Sequence, residues 1–261
     1  MLKLPVVDFS NKDLKPGTNS WIKACNDVRQ ALEEFGCFII ECNHNLISSE
    51  FRSEVFGALK NLFDLPTETK MKNKYERPLT GYVGQIPKLP LHESMGIDNA
   101  TSLEAAQSFT KIMWPQGNDS FWAPIGGEPN LGFVTHTDKS FTTILHQNQI
   151  NGLEIDTRDG QKINVELSPS SFVVVAGDAL MAWSNDRIHS PSHRVIMNGA
   201  VDRYSLALFS FSSGIVKVPD ELVDDEHPLK YKPFEHFGLL RYFRTDEGYK
   251  SKCPIKAYCG I

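Results

Sequence analysis

The sequence predicts a mainly β fold with helical support: a sandwich or barrel of short strands, the double-stranded jelly roll among the candidates, behind an α-rich N-terminal region. Three observations carry this reading. The hydrophobic period is helical from residue 19 to about 113, then changes near residue 131 to short apolar runs. Turn residues separate those runs at the spacing of all-β sandwiches and barrels. A chain of 261 residues can bury one large core, so helices and strands are read as parts of one body.

Taken in order, Trp21, Cys25, Val28 and Leu32 recur at helical spacing, and Gly36 follows as a helix-ending glycine should. Cys37-Phe38-Ile39-Ile40 is a short apolar run suited to a buried strand. Phe51, Val55, Leu59 and Leu62 mark a second helix that stops before Pro66. A third covers Leu103 to Met113, with Ser102 as its N-cap. Strands are expected over 141–146, 152–156, 163–167, 172–176, 193–197 and 203–211, and a last helix near 234–243. Residues 114–132 join the two halves with no periodicity, an uncommon length of structureless chain inside a compact domain. The expected organisation is an α-rich region over 1–118 and a β core with a C-terminal helix over 119–261.

A 41% apolar and 23% charged composition is that of an ordinary globular protein. The formal charge of −5 argues against nucleic acid or an anionic membrane as partner. No apolar run is long enough for a signal peptide or a membrane span. Five cysteines without a CxxC pair read as reduced thiols of a cytosolic protein, with monomer as the default state.

His136-Thr137-Asp138 is an HxD triplet. On a strand, residues two apart share a face, so imidazole and carboxylate converge while Thr137 turns away. Two neutral nitrogens and one carboxylate on one face of an octahedron suit non-haem Fe(II) and leave three positions open. Alone the triplet is weak, so the third ligand matters. His193 opens the strand His193-Arg194-Val195-Ile196-Met197. Its competitor His189 is separated from it by Pro191, which breaks a local helix and leaves His189 in a turn. Farther on, Arg203 and Ser205 are again two apart. A guanidinium fork beside a hydroxyl suits bidentate capture of a carboxylate. A strict two-residue Asn198-Gly199 hairpin would pair His193 with Tyr204 and turn Arg203 to the wrong face. A shared lumen therefore requires an odd loop or a bulge.

The HxD triplet, a histidine followed by arginine, and RxS ten residues later together resemble the plant 2-oxoglutarate/Fe(II)-dependent dioxygenases. Supporting landmarks are Leu4-Pro5-Val6-Val7-Asp8, Tyr82 between Gly81 and Gly84, Gly152-Leu153-Glu154, Gly177-Asp178, Trp183-Ser184-Asn185-Asp186-Arg187 and Glu221-Leu222-Val223-Asp224. Leu14-Lys15-Pro16-Gly17-Thr18, Leu65-Pro66-Thr67-Glu68-Thr69-Lys70 and His189-Ser190-Pro191 resemble the branch that includes glucosinolate side-chain dioxygenases and deoxypodophyllotoxin synthase. The resemblance implies a jelly-roll core behind an N-terminal region of the non-haem dioxygenase type. It implies Fe(II) on His136, Asp138 and His193, with 2-oxoglutarate as co-substrate anchored by Arg203 and Ser205. It implies dioxygen-driven decarboxylation to succinate and oxidation of a small specialised metabolite by hydroxylation, desaturation, demethylation or ring closure. Ascorbate is a candidate further cofactor, and Phe209 a pocket wall beside the substrate.

One departure stands out. Between Trp114-Pro115-Gln116-Gly117-Asn118 and His136 the family has two helices and a strand, whereas here Ser120-Phe121-Trp122 runs almost straight into Ala123-Pro124-Ile125. The alternative to a working enzyme is an internally shortened chain that keeps the metal triad but is catalytically impaired. A jelly-roll isomerase or metal-storage protein would explain the triad but gives no task to Arg203 and Ser205.

Overall fold

The computed structural model describes residues 2–42, 47–74, 80–87, 89–118, 121, 128–129, 135–197 and 202–259. Two facing sheets form its jelly-roll core. The larger has the order β1-β2-β9-β6-β11-β5, with β1 Val6–Asp8, β2 Cys37–Glu41, β5 Glu128–Pro129, β6 Thr142–Gln147, β9 Ser171–Ala176 and β11 Ser205–Phe209. The smaller has the order β10-β7-β8, with β7 Leu153–Asp156, β8 Lys162–Asn164 and β10 His193–Val195. Pairing is antiparallel except for β1 on β2, which is parallel. Two short ribbons complete the strands: β3 Gly81–Val83 with β4 Ser94–Gly96, and β12 Ile215–Val216 with β13 Phe234–Glu235.

Strand parity divides the side chains of the large sheet. Val173 and Val175 of β9 and Cys37 of β2 point inward and pack on Leu153, Ile155 and Ile163 of the small sheet. Their neighbours Val174, Ala176 and Phe38 point outward and receive helix α1, Asn19–Glu34, through Ala24, Ala31 and Leu32. Each large apolar side chain so buried contributes about 1.5–3 kcal/mol. Thr18 caps α1 by accepting from the Trp21 amide, and Gly36 ends it with φ +71°. A Cβ at Gly36 would stand 2.2 Å from the His189 carbonyl oxygen, so glycine also lets the 189–191 turn close on the helix end.

Helices α2 Ser49–Phe63 and α4 Leu103–Met113, separated by the short α3 Thr67–Lys70, enclose a second core of Leu62, Phe63, Met95, Phe109 and Met113. Ser102 caps α4, as the sequence predicts. Behind the sandwich, α5 Asp178–Trp183, α6 His236–Phe243, α7 Asp246–Lys250 and α8 Pro254–Cys259 gather around Leu239 and Ile255.

One feature extends the sequence reading and two correct it. Within residues 1–118, β2 forms over the apolar run at 37–40 and, with β1, extends the large sheet. Residues 114–132 contribute the two-residue strand β5, paired to Leu206 and Ala207 of β11. Pro129 lacks an N–H and so suits an outermost strand. Asn198 and Gly199 lie outside the described residues, but the strands around them do not form the expected hairpin. β10 pairs with β7 in the small sheet and β11 with β6 in the large one. No helix among the described residues is long and apolar enough to cross a membrane.

Candidate metal centre and its anchor

His136 and Asp138 lie on the segment leading into β6. A two-way backbone bridge ties this segment to β10, with the His136 amide donating to the His193 carbonyl at 3.0 Å and the reverse bond at 2.8 Å. That pairing sets the two imidazoles side by side, ring centroids 4.3 Å apart. Asp138 closes the third side: its Oδ1 lies 3.5 Å from His136 Nε2 and 3.7 Å from His193 Nε2. The three ligand atoms all fall within 4.8 Å of one another, close enough to reach one ion. Among the described residues this is the one group of three or more His, Cys, Asp or Glu side chains with that geometry.

The surroundings hold the carboxylate in place. Thr143 Oγ1 donates to Asp138 Oδ2 at 2.6 Å, and the Asp138 carbonyl accepts from the Asp178 amide at 2.7 Å. Asp178 opens α5, where its carboxylate meets Lys139 Nζ at 2.9 Å and the Ser190 hydroxyl at 2.8 Å. Gly177 matters here by close approach: a Cβ would fall 2.1 Å from the Ser140 carbonyl oxygen and push the HxD loop off the helix start. His236 of α6 contributes a further tie. Its Nδ1 accepts from the Ser212 amide, so its Nε2 carries the proton given to the Lys139 carbonyl at 2.6 Å.

Burial opposes ionisation of Asp138, but the two imidazoles and the Thr143 hydroxyl outweigh it and hold the carboxyl well below the usual carboxylate range. Burial, only partly offset by Asp138, lowers His193 below the ordinary histidine value. A deprotonated carboxylate and a neutral imidazole are the forms that bind a metal. His136 is the most exposed of the three at 25%, so the group opens on its side. His189 is not brought to this group. Its amide bonds the Leu32 carbonyl at the end of α1, and burial lowers its pKa to about 4.

Arg203 and Ser205 lie in and just before β11, across from β6. Ser205 faces Gln147 and Phe209 faces Thr143 in the ladder. The expected odd loop is therefore not what puts these residues in one lumen. They come from the opposite sheet to His193, whose inner face looks back at them. The Arg203 guanidinium is 0% exposed. Its Nε and Nη2 both donate to Gln147 Oε1, at 3.2 and 2.7 Å, and Nη1 lies 3.5 Å from Ser205 Oγ. Gln147 is held in turn by Asn151 through its Nε2, at 2.8 Å. Among the described residues no carboxylate is paired with Arg203. Burial alone lowers its pKa to about 10, which leaves it charged at neutral pH. A buried cation resting on neutral partners is costly, and an arriving carboxylate would offset that cost. The donor set and this uncompensated guanidinium fit a metal-chelating dicarboxylate.

Thr143, Gln147, Lys139, Asp178 and His236 were not singled out as site residues from sequence. For Thr143 and Gln147 a signal existed: with Leu145 they share one parity of the strand that follows HxD. The remaining landmarks are structural. Arg194 points away from the lumen to its cross-strand partner Glu154, at 2.7 Å. Asn185 and Asp186 take left-handed φ values of 55° and 67°. From there Asn185 bonds Leu222, His227 and Pro228 carbonyls, and Arg187 bonds Leu222 at 2.6 Å.

Comparison with known proteins agrees with this geometry. The model of the 2OG-Fe(II) oxygenase superfamily matches residues 118–212. A model described as the N-terminal region of non-haem dioxygenase in morphine synthesis matches residues 4–116. The probable 2-oxoglutarate-dependent dioxygenase AOP1.2 of Arabidopsis thaliana is 36% identical over 315 aligned positions, covering 99% of this chain and 96% of that protein. With 261 residues to set against 315 positions, at least 54 have no counterpart in this chain, consistent with an internal shortening. The probable inactive 2-oxoglutarate-dependent dioxygenase AOP2 of the same plant is 26% identical, covering 100% of this chain and 98% of that protein. The crystal structure of a dioxygenase for auxin oxidation in rice superposes with a TM-score of 0.76 at 26% identity, covering 92% of this chain and 95% of that one.

Proposed function

Because the chain belongs to the 2-oxoglutarate/Fe(II)-dependent dioxygenases, a family of oxidoreductases, we propose that His136, Asp138 and His193 are its iron ligands and Arg203 with Ser205 its co-substrate anchor. The observation that carries this is the pairing of a three-ligand cluster with a buried guanidinium that has no carboxylate partner among the described residues. When bound, iron and 2-oxoglutarate together supply dioxygen activation coupled to oxidative decarboxylation. The chain's own part is to bind and orient. Asp138 offers Oδ1 toward both imidazoles, and Thr143 holds its other oxygen. Gln147 fixes two donors of Arg203, leaving the Nη1 side beside Ser205 for the far carboxylate of the co-substrate.

The substrate is a small specialised metabolite, oxidised by hydroxylation, desaturation, demethylation or ring closure. Phe209 is its pocket wall, supported by its place across the ladder from Thr143. A cytosolic monomer is the setting that best fits the composition and the reduced cysteines. The test is iron-dependent release of carbon dioxide from 2-oxoglutarate by the purified chain. Release that persists in Arg203→Leu or in His193→Ala would sink the assignment.

A second reading rests on one observation: the sheet edge normally supplied before HxD is here the two-residue β5, in a chain lacking at least 54 aligned positions. Under that reading the chain keeps its triad but is catalytically impaired. Binding of Fe(II) and 2-oxoglutarate without release of carbon dioxide would favour it.

A further inference from the structure

The two oxygens of Asp138 are not equivalent. Oδ1 faces both imidazole Nε2 atoms, at 3.5 and 3.7 Å, while Oδ2 is taken by Thr143 Oγ1 at 2.6 Å. An ionised carboxylate can only accept, so the single Thr143 proton goes to Oδ2. Thr143 Oγ1 must then accept from Ser140 Oγ, 3.1 Å away. Ser140 and Thr143 are buried, at 0% and 3% exposure, so water does not compete for these bonds. The result is a one-way chain of hydroxyls, Ser140 to Thr143 to Asp138, ending on the oxygen that faces away from the histidines. Turning Oδ2 toward the ligand centre would break a charge-assisted bond and leave a buried hydroxyl pair without an acceptor.

We propose that Thr143, backed by Ser140, keeps Asp138 a one-oxygen ligand and so preserves an adjoining coordination position for the chelating co-substrate. The inference rests on the iron and 2-oxoglutarate reading above. Thr143 is a positioning residue: it acts through Asp138 and need touch neither metal nor substrate. A carboxylate freed from Thr143 could bind with both oxygens, holding the metal as well as before while occupying the place that 2-oxoglutarate needs. Metal affinity and co-substrate affinity then separate, which a general loosening of the site would not produce.

The experiment uses cobalt(II) as a spectroscopic stand-in for iron, with the wild-type chain, Thr143→Val, Thr143→Ser and Ser140→Ala. Cobalt affinity is measured by visible absorption without 2-oxoglutarate, then 2-oxoglutarate affinity by titration of the cobalt-loaded chain. Thr143→Val is expected to bind cobalt as the wild type does but to bind 2-oxoglutarate about 10-fold more weakly or worse. Thr143→Ser, which keeps the hydroxyl, restores wild-type binding, and Ser140→Ala loses 2-oxoglutarate affinity with the same sign and smaller size. If Thr143→Val does not fold, Ser140→Ala carries the same separation. Equal losses of cobalt and 2-oxoglutarate, no loss of either, or a serine variant that behaves like valine each overturn the proposal. A wild-type chain that takes cobalt but not 2-oxoglutarate overturns the co-substrate reading, and this inference with it.

Discussion

At the HxD end of the lumen a buried carboxylate already faces two imidazoles and a threonine hydroxyl, whereas at the far end of the neighbouring β11 a buried guanidinium has, among the described residues, only an amide oxygen and a hydroxyl as side-chain partners. Both ends place charge out of water. The first is compensated before anything binds, and the carboxyl is accordingly held ionised. The second is not, and burial alone lowers its pKa. The contrast separates a part of the site whose charge the fold itself compensates from a part where, under the proposed function, the co-substrate would do so.

The strongest way to break this contrast is at the metal end. His136→Ala or Asp138→Ala is expected to abolish stoichiometric metal binding, read as metal content after dialysis, because two protein ligands rarely hold Fe(II). A variant that still retains one metal per chain would mean the triad is not the site.

Next in size is Arg203→Leu. It should weaken 2-oxoglutarate binding by about 2–5 kcal/mol while leaving metal affinity unchanged. Calorimetric titration of both ligands checks it, and a matching loss of metal would point to collapse of the lumen.

Gln147→Leu sharpens the same contrast. Without its amide acceptor Arg203 keeps little beyond Ser205, and the ligand-free chain should lose about 1–3 kcal/mol of stability. Added 2-oxoglutarate should then raise the melting temperature of the metal-loaded variant more than that of the wild type. An equal rise in both would show that the amide does not stand in for the co-substrate.

The smallest effect expected is in pH. Burial lowers His146, His193 and His236 below the ordinary histidine value of 6.5, and His189 to about 4. Lowered values mean that the unfolded chain takes up protons first as pH falls. Stability is therefore constant above about pH 6.5 and declines below it, the His189 share running down to about pH 4. The anchor adds nothing there, since its guanidinium stays charged. Urea midpoints of the metal-free chain at pH 7.5 and 5.5 test this, and equal midpoints would contradict it.

Much of the fold was legible in short stretches. The runs expected at 141–146, 152–156 and 172–176 became strands, over 142–147, 153–156 and 171–176, because alternation and β-branched residues state which side is buried. Ser102 and Gly36 marked helix ends because capping is a local contact. The Asn198-Gly199 signal misled for the complementary reason. It speaks for a tight turn, but which sheet each flanking strand joins depends on partners forty to sixty residues away, Glu154 for Arg194 and Gln147 for Ser205.

The candidates for the site were legible in the sequence: the spacing of HxD and RxS says which side chains share a face, and Pro191 separates His189 from His193. Only the tertiary structure decided that β10 and β11 lie in opposite sheets, that β1 and β2 extend the β core, and that Thr143 and Gln147 support the charged residues. The physical reason is range. Periodicity and capping act over a few residues, while strand partnership and the sharing of a buried charge are settled by groups that meet only once the two sheets have closed on each other.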